Sequence, residues 1–129
     1  MAARILYIED ESFFANTISG KLEAHGFSVD TAKDGKEGLE ALQKNQYDLV
    51  LLDLILPELD GFQVLEAVQR DPKLQRVPVV VLSNLSAEGD KEKARELGAQ
   101  QFYVKINSTP NEVLALVRAL TESHSAEKK

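Results

Sequence analysis

Cysteine is absent from the 129 residues, which removes disulfides and thiolate metal sites from consideration and makes the reducing cytoplasm the expected compartment. No apolar run approaches the length of a membrane span. The N-terminus, MAARILYIEDE, lacks the charged, apolar and small-residue regions of a signal peptide. A basic surplus is also missing: 21 acidic against 15 basic residues leave a net charge of −6. That balance argues against nonspecific binding to nucleic acid or to an anionic membrane. No internal repeat is present. The length fits one domain that buries roughly two-thirds of the surface of its unfolded chain, and its 43% hydrophobic and 28% charged composition needs no disordered body. Residues 1–122 are expected to form that domain, with 123–129 (SHSAEKK) a frayed polar tail.

The stretch DLVLLDLILPELDG, residues 48–61, organises the rest. Leu49–Leu52 reads as a strand buried on both faces, as in a parallel sheet covered by helices. It ends on Asp53, and an ionised carboxylate beside such a run must be solvated, paired or metal-bound. Pro57, Asp60 and Gly61 then form a loop and cap, and Phe62 opens a helix. Asp53 thus stands where ligands bind in open α/β sheets, at the carboxyl end of a strand.

The same unit recurs along the chain. Arg4–Ile8 is a strand running into Glu9, Asp10 and Glu11, with Ser12 placed to cap a helix carrying Phe14, Ile18 and Leu22 up to Gly26. Residues 27–32 read as a second strand near an edge, and Asp34-Gly35 turns into a helix carrying Leu39 and Leu42. Phe62, Leu65 and Val68 face the core from the third helix, which Asp71-Pro72 ends. Val79–Ser83 is a fourth strand, residues 86–97 a helix with a thin apolar stripe, and residues 101–105 a fifth strand ending on Lys105. Thr109-Pro110-Asn111-Glu112 carries a full capping-box start for a last helix using Val113, Val117 and Leu120. The tally is (βα)5: an α/β fold with a doubly wound, five-stranded parallel sheet in a flavodoxin-like three-layer sandwich.

Four of these strands end on chemistry-bearing groups: Glu9-Asp10, Asp53, Ser83 and Lys105. A parallel sheet brings all carboxyl ends to one edge, so the groups converge. Carboxylates that close repel one another unless a cation sits among them, and a hard divalent ion such as Mg²⁺ suits oxygen ligands next to a phosphate. Lys105 adds positive charge and Ser83 a hydroxyl, which completes a cradle for a phosphoryl group. Singly, each has an ordinary explanation: an acidic helix cap, a strand-end hydroxyl, a surface lysine. Their joint placement is what carries the reading.

The segments ILYIEDE, LVLLDLILPELDGFQVL, VPVVVLS and GAQQFYVK, in this order and spacing, resemble the response-regulator receiver domain of two-component signalling, over about residues 4 to 120. The resemblance implies that Asp53 accepts a phosphoryl group from a phosphohistidine on a sensor histidine kinase or phosphotransfer protein. It implies Mg²⁺ held directly by Asp10 and Asp53 and the Ile55 carbonyl, and by Glu9 through water. Lys105 becomes the phosphate-binding lysine, and Ser83 and Phe102 the switch pair. Three positions depart from the family pattern: Ile106 stands where proline is usual, Asn84 where the residue is usually small, and Phe102 where tyrosine is frequent. The Lys105–Ile106 peptide is therefore expected to be trans, and Asn84 to hinder access to Asp53.

The expected protein is a stand-alone, chemotaxis-regulator-like receiver that catalyses only its own phosphorylation and dephosphorylation, since the chain ends about one turn after its last helix. Output is expected through a partner protein or a second copy, with no direct nucleic-acid or membrane contact. Phosphorylation would draw Ser83 inward and let Phe102 turn, altering residues 87–104, whose face carries Lys91, Lys93, Arg95 and Glu96. The alternatives are a Mg²⁺-dependent aspartyl-phosphate phosphatase, which lacks support because Ile55 sits two residues after Asp53 in place of a second aspartate, and a pseudo-receiver that works without phosphorylation.

Overall fold

The computed structural model describes residues 3–85 and 87–127, with the side chains of 123–127 excepted. Five strands, β1 (Arg4–Ile8), β2 (Ser28–Ala32), β3 (Leu49–Leu52), β4 (Val79–Ser83) and β5 (Gln101–Val104), alternate with five helices, α1 (Ser12–Ala24), α2 (Gly35–Lys44), α3 (Gly61–Arg70), α4 (Glu88–Glu96) and α5 (Pro110–Glu127). The strands form one parallel sheet in the order β2-β1-β3-β4-β5. The order reverses between β1 and β3, so the carboxyl ends of those two central strands flank the crevice where such sheets bind ligands. No helix among the described residues is long and apolar enough to cross a membrane.

Alternate residues of each strand feed two separate cores. Leu6, Ile8, Val50, Leu52, Val79 and Val81 meet α2, α3 and α4 on one face, through Leu42, Val64, Leu65, Val68 and Ala94. Ile5, Tyr7, Leu49, Leu51, Val80 and Leu82 meet α1 and α5 on the other, through Ile18, Leu22, Val113, Leu114 and Val117. This is the three-layer sandwich the strand periodicity implies, with β1, β3 and β4 covered on both faces and β2 and β5 as edges.

Helix starts follow local chemistry. Asp34 Oδ1 accepts from the Glu37 N–H at 2.7 Å. Asp60 and Gln63 close a reciprocal capping box at 2.9 Å each way, and Thr109 with Glu112 closes another at 3.1 and 3.2 Å. Ser12 does not cap α1. Glu11 occupies the cap position in extended backbone and no side chain bonds the first turn, so Ser12 falls one residue too late, inside the helix. Lys105 likewise lies past β5, at the start of a single 3-10 turn over Lys105–Asn107. The backbone of α5 continues through residues 123–127 of the expected tail, while Lys128 and Lys129 lie outside the described residues. Ser86 does too. Ala87 takes the cap position of α4.

The loop from β3 to α3 is held tightly. Gly61 donates its N–H to the Leu54 carbonyl at 3.0 Å. A methyl group built on Gly61 would lie 2.5 Å from the Asp53 carbonyl oxygen and 2.6 Å from Leu54 Cα. Glycine is required there by close approach of two backbones. In contrast, α4 anchors only Ala94 fully, helped by Lys93 resting 4.4 Å from the Phe62 ring centroid, as its thin apolar stripe implies.

Candidate phosphoryl-accepting site

Each strand-end group expected to converge does so. Glu9, Asp53, Ser83 and Lys105 are all buried, and Asp10 is exposed beside them. Asp53 is bound on both oxygens. Oδ1 accepts from Ser83 Oγ at 2.7 Å and from the Ile55 N–H at 3.2 Å, and Oδ2 accepts from Lys105 Nζ at 2.9 Å. Lys105 Nζ also reaches Glu9 Oε1 at 2.6 Å. One ammonium therefore bridges buried carboxylates from the ends of β1 and β3, the arrangement that makes such burial affordable. Its three donors leave a third direction, toward Phe14, whose ring centroid is 4.7 Å away.

Two contributors escape sequence reading. Tyr7 donates its hydroxyl to Glu9 Oε1 at 3.1 Å. The signal for it is two-residue spacing along β1, which puts Tyr7 and Glu9 on one face of the strand. Phe14, in the four-residue series with Ile18 and Leu22 on α1, stands half-buried over the lysine.

The electrostatics follow from this packing. Burial pushes Glu9 up to about 7, against the hydrogen bond from Lys105, and the neighbouring Asp53 charge adds to the rise. Burial also drives the Tyr7 phenol well above its ordinary range, reinforced by Glu9. For Lys105 burial acts downward, but the hydrogen bonds to Glu9 and Asp53 outweigh it and hold the ammonium above its usual value.

Glu9, Asp10 and Asp53 each offer a carboxylate oxygen, and these oxygens lie within 4.8 Å of one another. An all-oxygen donor set of this charge fits a hard divalent cation, and the exposure of Asp10 leaves one side open to solvent.

Residues 5–118 match the family model of the response regulator receiver domain. The chain belongs to the response regulator receiver family. The transcriptional regulatory protein DltR of Streptococcus agalactiae is 39% identical over 122 residues, 95% of this chain and 53% of its own length. The receiver domain of Francisella response regulator 1452 is 28% identical with a TM-score of 0.85, covering 94% of this chain and 98% of that one. A CheY-like receiver domain protein of Methanospirillum hungatei shares the fold at a TM-score of 0.90 and 20% identity, over 98% of this chain and 99% of that one. The chain spans from 13% to 53% of the length of curated relatives it matches. Receiver domains are signalling modules that interact with histidine kinases or phosphotransfer proteins and bind Mg²⁺ at an acidic pocket, and this chain carries an acidic cluster of Glu9, Asp10 and Asp53.

The expected switch elements are less tightly grouped. Ser83 Oγ points inward, donating to Asp53 Oδ1 at 2.7 Å. Phe102 pairs with Val81 across the β4–β5 ladder and packs, half-buried, against the core under α3 and α4. It lines a small cleft with Lys91 and Arg95. All peptide bonds among the described residues are trans, Lys105–Ile106 included.

Proposed function

We propose that Asp53 of this receiver takes a phosphoryl group from a phosphohistidine on a sensor kinase or phosphotransfer protein. One Asp53 oxygen attacks phosphorus, the phosphorus–nitrogen bond to the imidazole breaks, and the imidazole leaves with that electron pair, to be protonated from solvent. The product is an acyl phosphate on Asp53. The observation that carries this reading is the bridging lysine: Lys105 Nζ, 2.9 Å from Asp53 Oδ2, is placed to neutralise the oxygens of an arriving phosphoryl group. Ser83 Oγ and the Ile55 N–H orient the carboxylate. Glu9, Asp10, Asp53 and the Ile55 carbonyl would hold Mg²⁺, which supplies charge neutralisation among the carboxylates and phosphoryl oxygens.

A macromolecular donor is favoured by the rim. The exposed large hydrophobic side chains among the described residues are Phe13, Ile55 and Ile106. They stand on the loops or first turns after β1, β3 and β5 respectively, around the same acidic mouth, and suit contact with an apolar protein surface. Residues 1–122 act as the receiver domain, and output leaves through its own surface, to a partner protein or a second copy.

Incubation of the full chain with acetyl phosphate is expected to add one phosphoryl group by intact mass, and only with Mg²⁺ or a similar ion present. A chain that stays unlabelled with Mg²⁺ overturns the proposal and favours a phosphorylation-independent receiver.

Metal linkage has a definite pH sign. Glu9 binds its proton more tightly folded than unfolded, so its contribution to stability is fully present below its unfolded value of 4.5 and is lost as pH rises through about 7. Mg²⁺ needs the ionised carboxylate and competes with that proton. The thermal shift produced by MgCl₂ is therefore expected to be clearly larger at about pH 8 than at about pH 6, where roughly nine in ten Glu9 side chains are protonated in the metal-free state. Equal shifts at both pH values would remove Glu9 from the linkage.

A further inference from the structure

Asn84 and Ile106 stand on different loops, 22 residues apart in sequence, and a hydrogen bond joins them: the Ile106 N–H donates to Asn84 Oδ1 at 2.9 Å. Their chain neighbours are the groups that hold Asp53. Ser83, just before Asn84, donates to Oδ1 of Asp53. Lys105, just before Ile106, donates to Oδ2. The cross-loop bond thus closes a ring that runs Asp53, Ser83, Asn84, Ile106, Lys105 and back to Asp53. The Ile106 side chain is 78% exposed, so packing of this residue does not hold the turn. Ser108 secures the turn from within, its N–H donating to the Lys105 carbonyl at 3.1 Å and its hydroxyl to the Val104 carbonyl at 2.9 Å. Asn84 ties it to the loop after β4.

We propose that Asn84 is a positioning residue that takes the Ile106 N–H and thereby sets the Lys105 turn over Asp53; this rests on Asp53 being the phosphoryl acceptor. The Asn84 carboxamide oxygen is committed to the neighbouring loop, which gives the residue a role different from narrowing the entrance to Asp53. Loss of the tie frees the Lys105–Asn107 turn to sample positions in which its ammonium no longer faces the acceptor. An exposed side-chain bond to backbone of this kind holds its partner by about fivefold in population.

The test is a double-mutant cycle on the full chain, read by amide exchange at Ile106 and by the rate of labelling with acetyl phosphate and Mg²⁺. Asn84→Ala is expected to speed Ile106 exchange about fivefold and to slow labelling about three- to fivefold. Asn84→Asp keeps an acceptor oxygen and is expected to restore protection of the Ile106 amide. Ile106→Pro removes the donor itself, so adding Asn84→Ala to it should leave the labelling rate unchanged. Unaltered Ile106 exchange in Asn84→Ala overturns the tie. Faster labelling in that variant, or an equal change in the Ile106→Pro background, overturns positioning and assigns Asn84 to access. A wild-type chain that does not label at all overturns the acceptor role and the positioning role with it, whatever the exchange shows.

Discussion

Asp53→Asn is expected to abolish phosphoryl incorporation, leaving the intact mass unchanged after incubation with acetyl phosphate and Mg²⁺ under conditions that label the wild type. The carboxamide has nearly the shape of the carboxylate and keeps an oxygen for Ser83 Oγ and the Ile55 N–H, now 2.7 and 3.2 Å from Oδ1. What disappears is the nucleophile and one negative charge. Lys105 retains Glu9 at 2.6 Å, so the buried ammonium is not orphaned and the fold should survive; a thermal scan of the variant verifies that. Glu9 and Asp10 remain beside the site, but Glu9 is tied to Tyr7, Glu11 and Lys105, and Asp10 sits outside the lysine bridge. Labelling of the asparagine variant at the wild-type level would move the acceptor elsewhere and sink the assignment.

Gly61→Ala is expected to destabilise the domain by about 1–3 kcal/mol, the range for forcing extra volume into a packed site. The added methyl would meet the Asp53 carbonyl oxygen at 2.5 Å, Leu54 Cα at 2.6 Å and Leu54 Cδ2 at 2.8 Å. Two of those atoms are backbone, so rotamer change alone gives no relief. Any relaxation must move either the first turn of α3 or the Asp53–Leu54 segment, and the second course tilts the acceptor away from Lys105. A lower urea midpoint with an unchanged slope, together with slower labelling, is the expected pair of observations. Gly89 supplies the control: it lies in α4 with nothing within 4 Å of a built methyl. Gly89→Ala should raise stability by about 0.5–1 kcal/mol through helix propensity. A Gly61→Ala chain as stable as wild type would show that the loop yields more readily than its contacts imply.

The sheet and the convergence of its strand-end groups were legible because they depend on period and position. Runs such as Leu49–Leu52 and Val79–Ser83 leave few alternatives to buried parallel strands, and parallel strands put Glu9, Asp53, Ser83 and Lys105 on one edge whatever the details. What could not be read depends on which of two near neighbours wins a contact. Glu11 and Ser12 compete for one cap position, and the extended backbone of Glu11 decides it without any side-chain bond. Tyr7 reads as another apolar strand residue until its hydroxyl is seen on Glu9. Phe14 fits helical spacing equally well as core or as cover for an ammonium. Asn84 is visible as an oversized residue at the mouth of the site, but the direction of its carboxamide is a matter of three dimensions. The partner of the Ser83 hydroxyl is also a tertiary matter, since only the structure shows it on Asp53.

The bond from Ser83 to Asp53 has a consequence for signal quality. If Ser83 serves as the switch hydroxyl, phosphorylation exchanges one anionic acceptor for another, and both bonds are charge-assisted. Only the difference between them biases the conformational equilibrium, and a difference of about 1 kcal/mol corresponds to roughly a fivefold change in the ratio of states. A receiver that switched in this way would have a narrow dynamic range per molecule and an appreciable background. Sharp downstream responses then require amplification outside the hydroxyl itself, through the number of copies engaged by a target or through a target that binds one state far better than the other.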